Sequence, residues 1–454
     1  MIRPVTLASV VKGAGIVGLI TILVRILSFG REVAAAAMFG VGADLDVFLI
    51  AYLVPSFLFY AILGCAGAAI IPALIEARQR GGEDGLRALI ARANGAGIIG
   101  FCLLGLLAVL AAPLYLPLLT SHLTPEKIVL AQIWLPLLCL LVPLYGLAAL
   151  WTAIANSQGN LALPACIPVL SPIVTIYMLY NYAQLHGAWA FVNGMLLGAA
   201  LEVVALGVLL RWRGLLPWPS LPRKTDTGFE RGFAILFAGT AIMGLIPATD
   251  QAMATSIGTG AITGIIFGGR LVSLTGSVGA LALGAAVLPA FAALAAEMDW
   301  TRLRQMMRQC VALTLGLAIP LCLFISWFSL PLVEIMFQRG QFTGEDARIV
   351  ANVQAWYILQ IPFYLGWIVL ARVLATLGRK RLLLIMPIGA AALNIALNLW
   401  LRQAWGAPGI AAATTLVFIA LFAAAYVAAH ICLRSHTKNP VPSALPALPE
   451  TQLP

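Results

Sequence analysis

The stretch "VRILSFGREVAAAAMFG" (residues 24–40) decides how this chain folds. It continues an apolar run that begins near residue 11, yet it carries Arg25, Arg31 and Glu32. An arginine at the centre of a bilayer costs about 2.5–3.5 kcal/mol on insertion scales, so it is retained where it meets a partner or a wet cavity. At helical geometry Arg31 stands about 9 Å further along the axis than Arg25 and about 120° around it. Ser28 and Gly30 lie between them and leave room for a local bend. The stretch therefore reads as a membrane helix with a face turned toward a polar interior. Its charges allow two readings. Either Glu32, Asp46 or Asp250 pairs with the arginines and pins helices together, or the arginines serve an anion that passes through.

The rest of the chain supports a membrane setting. Of 454 residues, 62% are hydrophobic and 10% are charged, against about 25% charged in soluble domains. Twelve hydrophobic segments are expected, at roughly 11–40, 45–75, 88–116, 129–156, 161–184, 187–210, 232–257, 260–295, 307–337, 346–377, 382–401 and 408–433. These lengths suit helices crossing a hydrocarbon core about 30 Å thick, and the short alternating segments of a membrane barrel are absent. With the N-terminus placed in the cytoplasm, 19 of the 27 Lys and Arg residues fall at the termini and inner loops. Lys127, Arg339, Arg348 and Arg402 fall outside, and Arg25, Arg31, Arg270 and Arg372 lie within the segments. The positive-inside rule thus puts both termini in the cytoplasm. The net charge of +10 is a topology signal, and nucleic acid is not an expected partner. Arg25 and Arg31 interrupt what would be the apolar core of a signal peptide, so no cleavage is expected. The Pro-rich end, residues 437–454, reads as a disordered cytoplasmic tail.

The chain also repeats itself. At an offset of about 218 residues Glu32 meets Asp250, "FGVG" (39–42) meets "IGTG" (257–260), Pro72 meets Pro289 and Arg87 meets Arg304. "VPLYG" (142–146) meets "IPFYLG" (361–366). The expectation is an all-α polytopic protein of about 12 transmembrane helices. They form two parallel six-helix bundles, 1–215 and 231–436, joined by a cytoplasmic linker (216–230) and enclosing a V-shaped central cavity.

Arg270, in "IIFGGRLVSL", comes from the second half with glycines beside it, and Arg25 and Arg31 come from the first. Guanidinium stays charged and grips oxyanions in a fork, so three arginines converging on a cavity suit a phosphate or pyrophosphate. A simple Arg270–Asp250 pair is the alternative for Arg270. Arg372 lies close enough to the inner surface for its side chain to snorkel. Glu32, Asp46, Glu202, Asp250 and Glu334 are the sparse acids, there for charge balance or coupling. Enzyme signatures are missing: the four histidines show no HExxH spacing, and "GTGAITG" (258–264) lacks the GK[ST] of a nucleotide loop. The seven cysteines form no CxxC, so neither a metal framework nor a cofactor is expected.

"RILSFGRE" (25–32) followed by "FGVGADLDVF" (39–48) resembles the first-helix signature of the MurJ/MviN lipid II flippases. "GRLVSLTGSVGALALGAAVLP" (269–289) resembles their eighth helix, and "MFQRGQFTGEDA" (336–347) their loop before the tenth. The likeness runs over nearly all of residues 10–435. It implies the multidrug/oligosaccharidyl-lipid/polysaccharide exporter fold and a polyprenyl-pyrophosphate-linked sugar as cargo. By motif match Arg25, Arg31 and Arg270 correspond to the family's cavity arginines, Asp46 to its acid in helix two and Arg372 to a basic residue in helix ten. The chain also departs from the pattern. After Pro55 the family usually has a pair of arginines, where this chain has Phe59 and Tyr60. A glutamate is missing around Gly64 and Cys65, Gly269 and Ser273 replace acids, and two further helices are absent.

The sequence reading is therefore a flippase of the bacterial inner membrane, in which Arg25, Arg31 and Arg270 bind pyrophosphate. Asp46 and Arg372 are candidates for substrate contact or gating, and Glu32 and Asp250 for coupling or charge balance. The departures point first to an exopolysaccharide-type repeat unit as cargo and second to lipid II. Membrane lipid and glycan-synthesis enzymes are the expected partners. A membrane-embedded glycan polymerase or ligase and a non-transporting scaffold are the rival classes.

Overall fold

Segments this apolar satisfy their backbone internally by becoming helices, and among the described residues no strand occurs. A computed structural model describes residues 7–121, 123–158, 162–220 and 228–438. The first half runs α1 (Leu7–Phe39), α2 (Ala43–Leu110), α3 (Ala112–Leu119), α4 (Pro125–Cys139), α5 (Leu141–Ser157), α6 (Ala162–Cys166), α7 (Leu170–His186) and α8 (Trp189–Trp212). The second runs α9 (Gly228–Ala254), α10 (Ala261–Ala296), α11 (Trp300–Trp327), α12 (Ser329–Phe337), α13 (Gly344–Tyr357), α14 (Ile361–Thr376), α15 (Lys380–Trp405) and α16 (Ala407–Lys438).

Ten helical runs among the described residues are long and apolar enough to cross a membrane. The hydrophobic segments number twelve, and the difference lies in two places. The ten leave out α1, and residues 45–75 and 88–110 fall in the single run α2. At 68 residues α2 would extend about 100 Å if straight. It is broken at Gly82, whose φ of 61° and ψ of −149° are helix-incompatible and natural only for glycine. Ion pairs Arg80–Glu76 and Arg78–Glu83, each 2.5 Å, flank the break. Of the expected linker, residues 221–227 lie outside the described residues, and α9 already begins at Gly228. Ser220 donates its backbone N–H to Ala91 (3.0 Å), packed so closely on Gly95 that a Cβ there would lie 2.1 Å from the Ser220 carbonyl oxygen. Residues 439–454 of the expected tail are likewise outside the description.

Three buried cores organise the two halves. One is built on the first half, around Ile62, Leu86, Ile90 and Leu150, with Phe233 and Phe237 of α9 packed against it. A second belongs to the other half, around Leu303, Leu370, Val417 and Leu433. The third is shared, drawing Ala35 and Phe48 together with Ile265, Phe337 and Ile410. The shared core lies at the apex, the end where α1 finishes and α2 starts.

The apex is closed by close backbone approach. Gln341 donates its N–H to the Ala37 carbonyl (2.8 Å). Gly340, at φ 59°, sits so near that a Cβ would lie 2.2 Å from the same carbonyl oxygen. This explains the glycine of "FQRGQFT" physically: the loop after α12 lies flat on the end of α1. Thr343 and Asp346 then start α13 with a capping box. Beneath the loop Phe29, Phe267, Phe337 and Phe342 form an aromatic plug, with Phe267 stacked on Phe337 at 5.1 Å and Phe29 edge-on to it at 5.6 Å.

Candidate functional site

Beside the plug, α1 and α10 face each other through charge. The Glu32 carboxylate, 8% exposed, receives Arg270 across the divide (Nε–Oε2 2.5 Å) and Arg31 from its own helix (Nη2–Oε1 3.7 Å). Neighbouring helical residues do not face one another, which is why Arg31 reaches its neighbour only loosely. Two guanidinium groups thus share one carboxylate, an excess of one positive charge. The geometry also leaves donor capacity unused. Arg31 Nε is buried with no acceptor, and Arg270 Nε lies close to Glu32 but off the line of a directed hydrogen bond. Buried donors of this kind are costly to leave empty.

The node overlooks a cavity of about 510 Å³ between the halves. Arg270 lines it, as do Tyr52, Ser56 and Tyr60 of α2. Across the back, α2 and α9 close the seam: Thr240 Oγ1 donates to the Ala61 carbonyl (2.9 Å), and Arg92 pairs with Glu230 at 3.0 Å.

The sequence-derived residues fall into different places. Arg31 and Arg270 meet at the node, with Glu32 as their common partner. Arg25 does not join them; it is exposed on α1 and makes no hydrogen bond or ion pair among the described residues. Arg372 is exposed on α14, also outside the node. Asp46 sits at the apex, where it holds the start of α10 from the opposite half. It accepts from the Gly260 N–H (2.5 Å), the Thr263 N–H (3.3 Å) and the Thr263 hydroxyl (2.6 Å). The first N–H groups of a helix lack intrahelical partners and carry positive dipole, so a carboxylate is well matched there. The glycine-rich "GTGAITG" is the turn that presents them: Gly260 takes φ 83° immediately before α10.

Asp250 is fully buried and pairs with no arginine among the described residues, so the Arg270–Asp250 alternative does not occur. Its carboxylate is enclosed by neutral donors: the hydroxyls of Tyr357 and Thr414 (the latter at 2.5 Å) and the amides of Asn394 (3.0 Å) and Asn398 (2.8 Å). These come from α13, α15 and α16, so Asp250 ties α9 to three neighbours. Asp250→Ala is expected to destabilise the protein by about 2–4 kcal/mol, since it orphans several buried donors. A lowered thermal unfolding temperature in detergent would show it; an unchanged one would refute it.

The cage and the tyrosines were missed in the sequence, although both carry a signal. Asn394 and Asn398, like Tyr52, Ser56 and Tyr60, recur every four residues in otherwise apolar helices. Polar residues so spaced on one face point to an interior or a cavity.

Comparison with known proteins bears on the family and the fold. The family described as lipid II flippase MurJ matches residues 35–441. A protein of Synechocystis sp. named probable lipid II flippase MurJ is 27% identical over 408 residues, 85% of this chain and 74% of that one. The lipid II flippase MurJ of Burkholderia cenocepacia is 24% identical over 357 residues, 74% and 67% of the two chains. Among solved structures, lipid II flippase MurJ in an inward closed conformation superposes with a TM-score of 0.76 at 21% identity, covering 93% and 87%. An inward-facing multidrug resistance MATE family transporter of the MOP superfamily gives 0.70 at 12% identity, covering 92% and 96%. The chain belongs to the lipid II flippase MurJ family.

Proposed function

We propose that this protein moves a polyprenyl-pyrophosphate-linked cell-wall precursor of the lipid II type from the inner to the outer leaflet of the bacterial cytoplasmic membrane. The observation that carries the reading is the Arg31–Glu32–Arg270 node: one uncompensated positive charge, with unfilled donors, at the closed end of a cavity between two halves. A pyrophosphate entering the cavity exchanges its hydration for these guanidinium groups. Arg25, exposed on α1 about 9 Å from Arg31 along the axis, is the contact for the incoming head group. Both termini face the cytoplasm, a reading supported by the distribution of Lys and Arg, so the apex is the outer end. Residues 1–215 and 231–436 are the rocking units, and breaking the Asp46 contact opens the apex. The polyprenyl chain stays in lipid.

An inside-negative potential favours outward movement of negative charge by about 2.3 kcal/mol per charge per 100 mV. A doubly charged head is driven without nucleotide hydrolysis. Asp250, caged by neutral donors and paired with no arginine among the described residues, is the coupling candidate, whereas Glu32 balances charge.

A second cargo is favoured by one observation. Phe59 and Tyr60 stand where the resembling family has arginines, and this suits a less acidic head group, such as an exopolysaccharide repeat unit. Expression in a strain depleted of its own lipid II flippase separates the two. Rescue of growth is the expected result; failure by a protein present at normal level in the membrane transfers the assignment to another glycan lipid.

A further inference from the structure

The cavity changes character below the node, and the change has a direction. Helices α2 and α10 both leave the apex from the Asp46–Thr263 contact, which sets their relative register. Counting along each helix from that contact, Tyr52 is six residues on and Arg270 seven, so both stand about 10 Å below it. One turn further are Ser56 on α2 and Ser273 on α10, and at the second turn Tyr60 and Ser277. All six line the same cavity. Among the described lining residues of these two facing walls, the only charge is Arg270 at the top. For about 10 Å below it the polar side chains of these walls are the hydroxyls of Ser56, Ser273, Tyr60 and Ser277, one of them on an aromatic ring. Asp250 also borders the cavity, but its oxygens are engaged by four donors.

Hydrogen bonds to the backbone fix how the serines present themselves. Ser56, Ser273 and Ser277 each donate their hydroxyl to a carbonyl of their own helix, at 2.8, 2.9 and 2.9 Å. What they turn outward is therefore an acceptor, which suits the hydroxyl donors of a sugar. The Tyr60 ring is 55% exposed and is backed by Phe59 at 4.6 Å, so it is held in place with much of its surface free. Gly269, beside Arg270, has open space where a Cβ would project. An aromatic face attracts the slightly positive C–H groups of a pyranose, and pockets near 500 Å³ are of ligand size.

We propose that Tyr52, Ser56 and Tyr60, facing Ser273 and Ser277, form a sugar-binding ladder for the uncharged pyranose rings next to the pyrophosphate. Tyr60 is its stacking platform and a determinant of head-group choice. The proposal rests on the flippase reading and adds to it the direction of the head group: phosphates toward the apex, sugars away from it.

The test uses the full chain in nanodiscs and two probes, a polyprenyl pyrophosphate without sugar and the same lipid bearing an N-acetylhexosamine disaccharide. The wild type is expected to bind the disaccharide probe about five- to tenfold more tightly. Tyr60→Ala removes that preference and leaves the sugar-free probe unaffected, whereas Tyr60→Trp keeps it. Equal binding of both probes by the wild type overturns the ladder and leaves the flippase reading intact. So does an equal loss for both probes in Tyr60→Ala, or a Tyr60→Trp variant that behaves as the alanine one. Binding of neither probe by the wild type overturns both.

Discussion

Alanine at position 270 is expected to cut transport of the lipid-linked glycan by about 10- to 150-fold while the protein still accumulates in the membrane. The magnitude comes from a charge-assisted contact of about 1.5–3 kcal/mol lost to the anion, at a factor of ten per 1.36 kcal/mol. Folding is spared because Arg270 is still one-third exposed and is not part of the buried cores. Lysine at the same position restores only part of the activity, since a point charge lacks the planar fork. The reciprocal change sharpens the test. Glu32→Gln leaves two guanidinium groups with no carboxylate, so the head group should bind more tightly and leave more slowly. Translocation in reconstituted vesicles and binding of the same lipid measure the two effects. Full activity in Arg270→Ala would remove the node from the mechanism.

The second large effect is expected from Asp46. Its carboxylate is the polar bond between the first-half helix α2 and the start of α10 at the apex. Asp46→Ala leaves three donors without an acceptor, at about 1–3 kcal/mol for each one that stays buried. Opening the apex lets water reach them, so this cost falls on the closed state alone. A bias of about 3 kcal/mol shifts the balance between closed and open apex by about 150-fold. Spin labels at Asp44 and Thr259, on the two sides of the apex, should report a longer distance in Asp46→Ala than in the parent. Asp46→Asn, which keeps one acceptor oxygen, should fall between. An unchanged distance distribution in the alanine variant would show that the aromatic plug of Phe29, Phe267 and Phe337 and the Gly340 contact close the apex unaided.

The node and the apex are thus two parts of one device. Phe267 and Arg270 lie less than one turn apart on α10, as do Phe29 and Glu32 on α1. Moving α10 away from α1 breaks the plug and the Arg270–Glu32 pair together. A head group held by Arg270 would then be released on the side that the plug had closed. Beside the plug, α1 and α10 are tied by this charged pair.

What the sequence by itself determined is whatever depends on composition and local spacing. Apolar length marks most of the spans, because crossing a bilayer needs about 20 apolar residues wherever they sit in the chain. Arg25, Arg31, Arg270 and Asp46 stand out because charge in such segments is expensive. The Gly340 loop was visible as a motif, although not its reason. Only the tertiary structure decided who meets whom. Arg270 joins Glu32 and leaves Asp250 to a neutral cage, Arg25 stays outside the node, and Asp46 holds a helix from the other half. Those outcomes depend on how α1, α2 and α10 pack at the apex, a matter of rotation and depth that no single helix records. The sharing of one carboxylate by two arginines, from which the spare charge arises, is a property of that packing alone.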